Sequence, residues 1–582
     1  NFTIVIRLSY IALSLALALG FTSCSDDDYN ECGIGNDFKV SRSEIALAAS
    51  APQTVTVRAA SAPAVVSDSE WLHATTPAHN GAGIYTFDLA ADEHTGYDTR
   101  TGIVTVTASN GSSQISVTQY GHETVEILST TPGTTLEPTG GTLSIHYAAT
   151  GDVDITVPHW LDAVTSKSLT ESTLSYTYNA NYSETRTGDV VITLKSDPSV
   201  SATVTFTQDA TEGVMTSDAK TIASRMYAGI NIGNTMECPA SNGVWGEGQW
   251  TTAKVNVNYI KGLKAMGFNA VRIPCAWDSY VIDAANNTID PAWLDRVSEI
   301  VGWIVNEDMY AIVNIHWDGG WLENHVGDGY SSTIDRKQHD YWTQIATRLN
   351  KYDEHLLFAG MNEPGMNGGI TSSTVQTIMK YQQTFVDAVR ATGGNNAVRC
   401  LIHQGPETNI DKTVDASLQY KLPVDNVTGR ALVEIHNYDP SNYTLLEEDN
   451  AWGPNMPIKL YWGSKFHVAG SDRNCDWGQE DFIDQQYKKM QDAYVSKGIP
   501  VIVGEYSSMI RNPADFPEMD VERYEQSRAY WNEYQTMSAK NHGCVPFYWE
   551  TGGDINRTNG KALKQYAIDG LMRGASAGVY PF

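Results

Sequence analysis

Two acidic side chains in the second half of the chain stand where enzymes often place their chemistry. Glu363 follows a short apolar run, residues 357–361, and precedes Pro364, which cannot continue a sheet ladder. Glu505 follows a second apolar run, residues 501–504. A carboxylate at the carboxyl end of a buried barrel strand is a frequent catalytic position, where it acts as acid, base or nucleophile. Taken alone, either residue could equally be a surface acid or the start of a helix.

Other polar residues hold the same kind of position, at or just after the end of an apolar run. A single strand-end histidine is more often a hydrogen-bonded core residue, and an arginine in a strand can be a buried ion pair. These structural explanations do not account for the recurrence of polar residues at several strand ends. The residues are Asn231, Asn234, Arg272, His316, Asn362, His436, Tyr438 and Trp549.

The elements that would hold these residues alternate between short apolar strands and amphipathic helices over residues 213–582. Eight buried strands with intervening helices predict a (β/α)8 TIM barrel. A doubly wound open sheet is the structural alternative, but no Gly-rich phosphate turn follows the first strand. The predicted strands are residues 227–232, 270–273, 310–315, 357–361, 398–403, 431–435, 500–504 and 545–549, and the clearest helices are residues 255–266, 294–306 and 374–391.

The preceding part of the chain consists of short alternating segments rich in Thr, Val and Ser, which predict antiparallel β-sandwiches. This part also repeats itself, because three short motifs occur twice in the same order. We therefore predict two all-β immunoglobulin-like domains, at residues 39–121 and 122–212. The paired motifs are Trp71-Leu72 with Trp160-Leu161, Thr99-Arg-Thr-Gly102 with Thr185-Arg-Thr-Gly188, and Val117-Thr-Gln119 with Phe206-Thr-Gln208.

Residues 1–24 resemble a bacterial lipoprotein signal peptide. An apolar core follows Arg7, and the segment is too short and badly flanked for a membrane-spanning helix. It ends in small residues and Cys24, although Phe21 departs from the usual Leu of such a cleavage box. Residues 25–38 form an acidic linker that resembles a surface-export tag, or is simply solvated. We expect export, lipidation of Cys24 and display on the outer membrane of a Gram-negative bacterium.

Composition narrows the range of partners. The 582 residues exceed one ordinary domain, and the 41% hydrophobic content is that of a packed protein. A net charge of -29 argues against a nucleic-acid partner, which requires a basic surface. The cysteines other than Cys24 have long, irregular spacings without a CxxC pair, which is typical of buried thiols and not of zinc sites. Nothing in the sequence indicates an assembly larger than a monomer.

The motifs of residues 213–582 resemble glycoside hydrolase family 5, in the clan with two strand-end glutamates. They span the barrel in order, and the Asn-Glu-Pro motif with the later Gly-Glu pair is the most specific. The resemblance is closest to the branch acting on cellulose, mixed-linkage glucan and xyloglucan. Trp317 stands where many relatives of that branch carry a second His, which leaves the fine specificity open. The matching stretches are residues 229–235, 271–274, 314–316, 361–364, 434–438, 503–505 and 548–549.

This resemblance implies a retaining endo-β-1,4-glucanase that hydrolyses plant β-glucans with two glutamates and no metal or organic cofactor. Glu505 would be the nucleophile, kept ionised by Arg272 and hydrogen-bonded by Tyr438. Glu363 would be the acid/base, which begins protonated and later accepts a proton from water. Asn362 would hold the substrate 2-hydroxyl, and Trp549 would form a stacking floor. The other residues expected to support the site or bind substrate are Asn234, His316, Trp317, Trp321 and His436.

Two alternatives to this function remain open. β-Mannan is the nearest other substrate, and a non-catalytic surface glycan-binding lipoprotein is the alternative of a different class, although it would need no pair of catalytic glutamates.

The repeated domains resemble the BACON domain found before glycoside hydrolases. Each copy has one Trp inside a repeated motif, which favours a spacer over a carbohydrate-binding module. Loop tryptophans that could pave a substrate groove are Trp245, Trp317, Trp321, Trp452, Trp462 and Trp477.

Overall fold

The computed structural model describes residues 38–47, 52–81, 83–96, 98–121, 123–164, 171–182, 184–211, 213–365 and 369–582. The expected signal peptide, Cys24 and almost all of the acidic linker lie outside these residues. The described part of the chain forms two β-sandwiches followed by a closed barrel of eight parallel strands, which confirms the predicted fold class. Within it, no helix combines the length and the apolar character needed to cross a lipid bilayer.

The two sandwiches share one strand arrangement, to which the first adds the short strand Ala78–His79. In each, a short early strand runs parallel to the last strand, while the other pairs are antiparallel. One sheet of the first sandwich contains Lys39–Val40, Gln53–Arg58, Ile84–Ala91, Leu72–Ala74 and Ala78–His79. Its other sheet contains Glu44–Leu47, Gly111–Gln119, Arg100–Ala108 and Ala64–Ser67. One sheet of the second sandwich contains Val125–Thr131, Gly141–Ala149, Glu171–Tyr178 and Asp162–Val164. Its other sheet contains Thr135–Leu136, Ser201–Gln208, Arg186–Leu194 and Val153–Thr156.

The repeated sequence motifs perform the same structural task in both sandwiches. The Arg100 guanidinium lies 4.4 Å from the centre of the Trp71 ring and donates through Nε to Gln119 Oε1 over 2.9 Å. A guanidinium over an aromatic face is a favourable cation–π contact that also covers the ring. The equivalent contacts of the second sandwich join Arg186 to Trp160 and Gln208. The repeat therefore encodes a packing motif.

The barrel consists of eight strands with helices between them. The strands, which we number β1 to β8, are Gly229–Ile232, Ala270–Ile273, Tyr310–Asn314, Leu356–Ala359, Leu401–Gln404, Ala431–His436, Val501–Tyr506 and Cys544–Glu550. The α-helices, numbered α1 to α10, are Ala219–Arg225, Val257–Ala265, Pro291–Asn306, Ser332–Leu349, Ser372–Ala391, Ile410–Val414, Ser441–Thr444, Glu480–Ala493, Val521–Asn541 and Gln565–Ala577. A small hairpin, Val281–Asp283 with Thr288–Ile289, lies between β2 and α3.

The barrel strands were recognisable because they are buried on both faces and therefore read as apolar runs. Two of their ends differ from the prediction in ways that affect the site. β4 ends at Ala359, so Glu363 lies in the loop beyond the strand. β7 continues to Tyr506, so Glu505 lies inside the strand, where its backbone is held by the sheet. The cysteines in the barrel are buried free thiols as expected, namely Cys238, Cys275, Cys400, Cys475 and Cys544.

The segment between the second sandwich and the barrel is attached to the end of the barrel where the strands begin. Ser217 donates its backbone N–H and its hydroxyl to Glu354, just before β4. The second sandwich contacts the same end, where Asp162 pairs with Lys261 of α2 at 2.6 Å. Glu184 likewise pairs with Lys351, just beyond α4, at 2.6 Å. This sandwich therefore lies opposite the end of the barrel that carries the strand-end polar residues.

Candidate active site

Arg272 lies at the centre of the polar cluster at the carboxyl ends of the strands. It extends from β2, is fully buried, and donates through Nη1 to Asn231 Oδ1 at 2.9 Å and to Glu505 Oε1 at 3.0 Å. Its Nη2 donates to Asn362 Oδ1 at 2.9 Å, and its Nε lies 2.9 Å from Glu434 Oε1. Burial alone would lower the pKa of Arg272, but Glu434 and Glu505 raise it above its usual value. The residue therefore remains a fixed cation that joins five barrel elements.

Glu505 is held from two sides. Arg272 contacts one carboxylate oxygen, and the Tyr438 hydroxyl donates to the other, Oε2, at 2.9 Å. Burial raises the pKa of Glu505 above the ordinary glutamate value, and Glu363 adds to the increase, while His436, Arg272 and Tyr438 act in the opposite direction. Arg272 thus lowers the pKa of Glu505 as expected, but burial raises this pKa by more.

Glu363 is connected to Glu505 through one histidine. His436 Nδ1 lies 2.7 Å from Glu363 Oε1 and 3.6 Å from Glu505 Oε2. Burial would lower the pKa of His436, but Glu505, Glu363 and Glu434 together raise it to about 10. The imidazole is therefore a cation at neutral pH. The Glu363 side chain is 25% exposed, whereas that of Glu505 is 7% exposed, so Glu363 is the carboxylate that solvent or a ligand reaches more easily.

Glu363, His436 and Glu505 could by position alone hold a metal ion, since one ligand atom from each lies within 4.8 Å of the others. A protonated imidazole, however, donates from both nitrogens and has no lone pair for a metal. The raised pKa of His436 and its short contact with Glu363 therefore favour a hydrogen-bonded charge cluster. One carboxylate oxygen of Glu363 also lies within 4.8 Å of one of Glu505. Such closeness suits two carboxylates that act on one bond.

The aromatic ring expected to lie beneath the substrate is paired with a histidine. Trp549, in β8, stacks on His316 with ring centres 5.5 Å apart and planes inclined by 9°. Burial, together with Arg272 and His436, lowers the pKa of His316 well below its usual value, so the ring is neutral. Of the two asparagines at the end of β1, it is Asn231 that contacts Arg272. Asn234 instead donates its backbone N–H to Glu237.

The loop tryptophans divide into two groups. Trp317, Trp452 and Trp477 have exposed side chains, which leaves their rings free to meet a ligand. Trp462 is fully buried, and Trp245 packs edge-on against Trp293. Trp321, which we expected to support the site or bind substrate, is only 9% exposed and donates its indole N–H to Asp318. Its ring supports the loop after β3 and offers little surface to a sugar.

Two buried glutamates that support the site, Glu434 and Glu323, were not predicted as site residues. Glu434 lies inside β6, fully buried, where it contacts Arg272 and accepts a hydrogen bond from Gln404 Nε2 at 2.5 Å. Gly504 belongs to the same arrangement, because a Cβ there would lie 1.9 Å from Glu434 Oε1. The signal was available, since a glutamate within an apolar strand needs a buried partner.

Glu323 was also missed, because it lies in a loop well after β3 and not at a strand end. It belongs to a short 3-10 helix, Glu323–Asp328, and its side chain is buried. Its Oε1 accepts the backbone N–H of Glu363 at 2.8 Å. Only the contact with the loop after β4 reveals this link to the site.

Comparison with known proteins assigns the two regions separately. The family model described as Cellulase (glycosyl hydrolase family 5) matches residues 230–554, which is more than half of the chain. The model named BACON matches residues 59–120, within the first sandwich. The second sandwich has the same strand arrangement as the first.

Individual relatives are similar to more than half of this chain. Endoglucanase A of Paenibacillus barcinonensis is 33% identical over 379 residues, which cover 61% of this chain and 90% of that protein. The xyloglucan-specific endo-beta-1,4-glucanase BoGH5A of Bacteroides ovatus is 33% identical over 401 residues, covering 66% of this chain and 76% of the relative. A solved Bacteroides ovatus GH5 xyloglucanase in complex with a XXXG heptasaccharide superposes with a TM-score of 0.57 at 29% identity, over 78% of this chain and 100% of that one.

Proposed function

The chain belongs to glycosyl hydrolase family 5 and is a glycoside hydrolase with endoglucanase-type activity on β-glucans, and we propose that it cleaves the β-1,4-glucan backbone by a double displacement at Glu505 and Glu363. The observation that carries this mechanism is the proximity of the two carboxylates, with one oxygen of each within 4.8 Å. Retaining glycosidases place their carboxyl groups about 5–5.5 Å apart, whereas inverting ones leave about 6.5–9.5 Å for a water molecule.

In the first step Glu505 attacks the anomeric carbon and the bond to the leaving sugar breaks. Glu363 transfers its proton to the departing glycosidic oxygen, so that the sugar leaves as a neutral alcohol. Glu505 suits the role of nucleophile because it is held on both oxygens, by Arg272 and by Tyr438. Glu363 suits the role of acid because it is the more exposed of the two and lies in a loop at the rim.

In the second step water hydrolyses the glycosyl-enzyme ester. Glu363, now ionised, removes a proton from the water, and the resulting hydroxide attacks the anomeric carbon and releases Glu505. His436 contacts both carboxylates and can stabilise whichever is charged. The second step thus regenerates both glutamates in their starting protonation states.

The charged groups around Glu363 balance one another in the proposed mechanism. Arg272 and His436 supply two positive charges. Burial raises the pKa of Glu434, but Arg272, His436 and Gln404 lower it further, so Glu434 supplies one negative charge. Glu505 supplies a second when it acts as the nucleophile. These four groups therefore carry no net charge in the state that attacks the substrate.

We further propose that xyloglucan is among the substrates. Support comes from the Bacteroides ovatus enzyme and from the solved xyloglucanase, both of which are described as acting on or binding this polysaccharide. The exposed rings of Trp317, Trp452 and Trp477 supply apolar surfaces of the kind that sugar faces contact.

Release of reducing ends from xyloglucan, barley β-glucan, carboxymethylcellulose and β-mannan tests the proposal. We expect activity on one or more of the three glucans and none on mannan, with Glu505→Ala and Glu363→Ala each losing about 10³-fold or more. Proton NMR of the first product reports its anomeric configuration, which should be that of the substrate. Activity on mannan alone would contradict the substrate class, and an inverted product would contradict the double displacement.

We propose, in addition, that the chain is an outer-membrane lipoprotein anchored through Cys24. The support is the sequence of residues 1–24 and the acidic segment after it. Expression in a Gram-negative host with radiolabelled palmitate should label the wild-type protein and not Cys24→Ala. Equal labelling of the two proteins would overturn the anchor.

A further inference from the structure

Glu323 is a third carboxyl group beside the proposed acid/base, and the reaction as described above has no role for it. Its Oε1 accepts the backbone N–H of Glu363 at 2.8 Å. The side chain of Asn362 lies close enough to this carboxyl group to lower its pKa. Glu323 therefore contacts both residues of the Asn-Glu pair in the loop after β4, and it approaches them from a different loop, the one after β3.

The contacts on the other side of Asn362 and Glu363 complete a frame. Asn362 accepts a hydrogen bond from Arg272 Nη2 at 2.9 Å through Oδ1, while its amide group faces Glu323. The carboxyl group of Glu363 is held by His436 at 2.7 Å, while its backbone N–H is held by Glu323. The main-chain position of Glu363 is thus fixed by Glu323, and its side-chain direction by His436.

The Glu323 carboxyl group is costly to bury, which argues against an incidental placement. The residue is 5% exposed. Burial, with the nearby carboxylates of Glu363 and Glu505, raises the pKa of Glu323 to about 8, against the effect of the hydrogen bonds from Glu363 and Asn362. At neutral pH the group is therefore protonated and adds no negative charge beside Glu363. A buried polar group of this kind is tolerated where its hydrogen bonds hold something in place.

A second contact ties the same two loops together. The backbone N–H of Gly365 donates to the backbone carbonyl of Glu323 at 3.3 Å. This bond would persist in any variant at position 323, because it uses only main-chain atoms. In a Glu323 variant the loop after β4 would therefore stay attached to the loop after β3. A change in activity would then report the loss of the Glu323 carboxyl group.

We propose that Glu323 is a positioning residue. By accepting a hydrogen bond from the backbone N–H of Glu363, it sets the location of this acid/base residue. The inference rests on the assignment of Glu363 in the proposed function. A proton donor must lie within hydrogen-bonding distance of the glycosidic oxygen, so a small displacement of the Glu363 main chain weakens proton transfer more than it weakens nucleophilic attack. Loss of Glu323 should therefore resemble a partial loss of Glu363.

Leaving-group dependence separates this role from a general structural one. Natural glucan linkages release an alcohol that requires a proton, whereas an activated aryl glycoside, such as a dinitrophenyl cello-oligosaccharide, releases a phenolate that does not. For Glu363→Ala we expect a large loss of kcat/KM on the polysaccharide and little loss on the aryl glycoside. For Glu323→Ala and Glu323→Asp we expect the same pattern at a smaller scale, about 10- to 100-fold on the polysaccharide.

Two further variants complete the series. Glu323→Gln keeps the size of the side chain and an oxygen acceptor, and it matches the neutral state of the native group, so its kcat/KM should stay within a few-fold of wild type on both substrates. Asp328→Asn is the matched control, since Asp328 lies in the same short helix with a side chain that is 75% exposed and paired with His325. It should behave as wild type. Thermal unfolding of each variant reports whether it is folded.

The outcomes are distinct. Equal losses on the two substrates for Glu323→Ala and Glu323→Asp would assign Glu323 a structural role only and overturn the proposal, as would the absence of any loss. If Glu323→Ala does not fold, Glu323→Asp, which retains the carboxyl group and shortens the side chain, decides the matter alone. If Glu363→Ala itself shows equal losses on both substrates, the assignment of Glu363 fails, and with it the inference.

Discussion

The hydroxyl group of Tyr438 donates a hydrogen bond to Oε2 of Glu505 over 2.9 Å. This bond favours the ionised carboxylate and so opposes burial, which raises the pKa of Glu505. Tyr438 keeps its own proton across the neutral range, because burial and the nearby glutamates raise its pKa well above the usual tyrosine value. One hydroxyl group therefore contributes directly to the protonation state of the proposed nucleophile.

Replacement of Tyr438 by Phe should move the acid limb of the kcat/KM profile to higher pH. Without the hydrogen bond the pKa of Glu505 rises further, so the nucleophile is protonated at a higher pH than in the wild type. We expect a shift of about one pH unit, measured as initial rates on a soluble glucan across the acid range. Tyr506→Phe is the control, because the Tyr506 hydroxyl contacts Thr536 and not Glu505. An acid limb that stays in place or moves to lower pH in Tyr438→Phe would contradict this role of the hydroxyl.

Trp317→Ala should weaken the use of polymeric substrate more than the chemical step. Trp317 is 43% exposed and directly follows His316, whose ring stacks on Trp549. Loss of one sugar-contacting ring should raise KM on xyloglucan or barley β-glucan about 10-fold, with a smaller change in kcat. Trp317→Phe retains a ring and should recover most of the difference. A lower kcat at unchanged KM would show that Trp317 acts on the chemistry instead.

Much of the architecture could be predicted because its causes are local. Each barrel strand is buried on both faces, and each sandwich strand alternates between core and solvent, so both patterns are written in the order of the residues. The duplication was visible because Trp71 and Trp160 recur with their Arg and Gln partners. The exact ends of β4 and β7 were not, since they depend on hydrogen bonds to neighbouring strands.

The site divides in the same way. Glu363, Glu505 and Arg272 were found because strand ends converge at one end of a barrel. Glu323 was not, since its link to Glu363 joins two loops whose mutual approach no local pattern specifies. The tryptophans show the same limit, because Trp462 and Trp317 both lie between regular elements, and only the fold makes one buried and the other exposed.

The repeated tryptophans of the sandwiches should prove dispensable for glucan binding. Trp160 is 6% exposed, and Arg186 and Arg100 cover the rings of Trp160 and Trp71, as core packing requires. In a full-length Glu505→Ala background, Trp71→Leu and Trp160→Leu should be retained on insoluble glucan as strongly as the parent. Each should nevertheless lower the thermal stability of its sandwich, because a large packed ring is lost. Trp317→Ala in the same background is the comparison, and it should reduce retention. Equal losses for a sandwich variant and Trp317→Ala would indicate a carbohydrate-binding module instead of a spacer.

Stability should depend on His355 in a pH-dependent way, at the end of the barrel opposite the catalytic residues. His355 Nδ1 lies 2.8 Å from Asp353 Oδ1, and Nε2 lies 3.4 Å from Asp308 Oδ1. Burial would lower the pKa of His355, but the two aspartates raise it to about 9 from a usual value of 6.5. Because the folded-state pKa is the higher one, the stabilisation is fully present below about pH 6.5 and is lost as the pH rises through about 9. His355→Gln should therefore lower the free energy of unfolding by up to about 3 kcal/mol at pH 6, and the difference should shrink towards pH 10. Denaturant unfolding at several pH values measures the free energy of unfolding of both proteins.

His339→Gln removes an exposed pair with Asp340 and should have little effect. A difference between wild type and His355→Gln that stays constant from pH 6 to pH 10 would show that the histidine acts through packing and not through its charge.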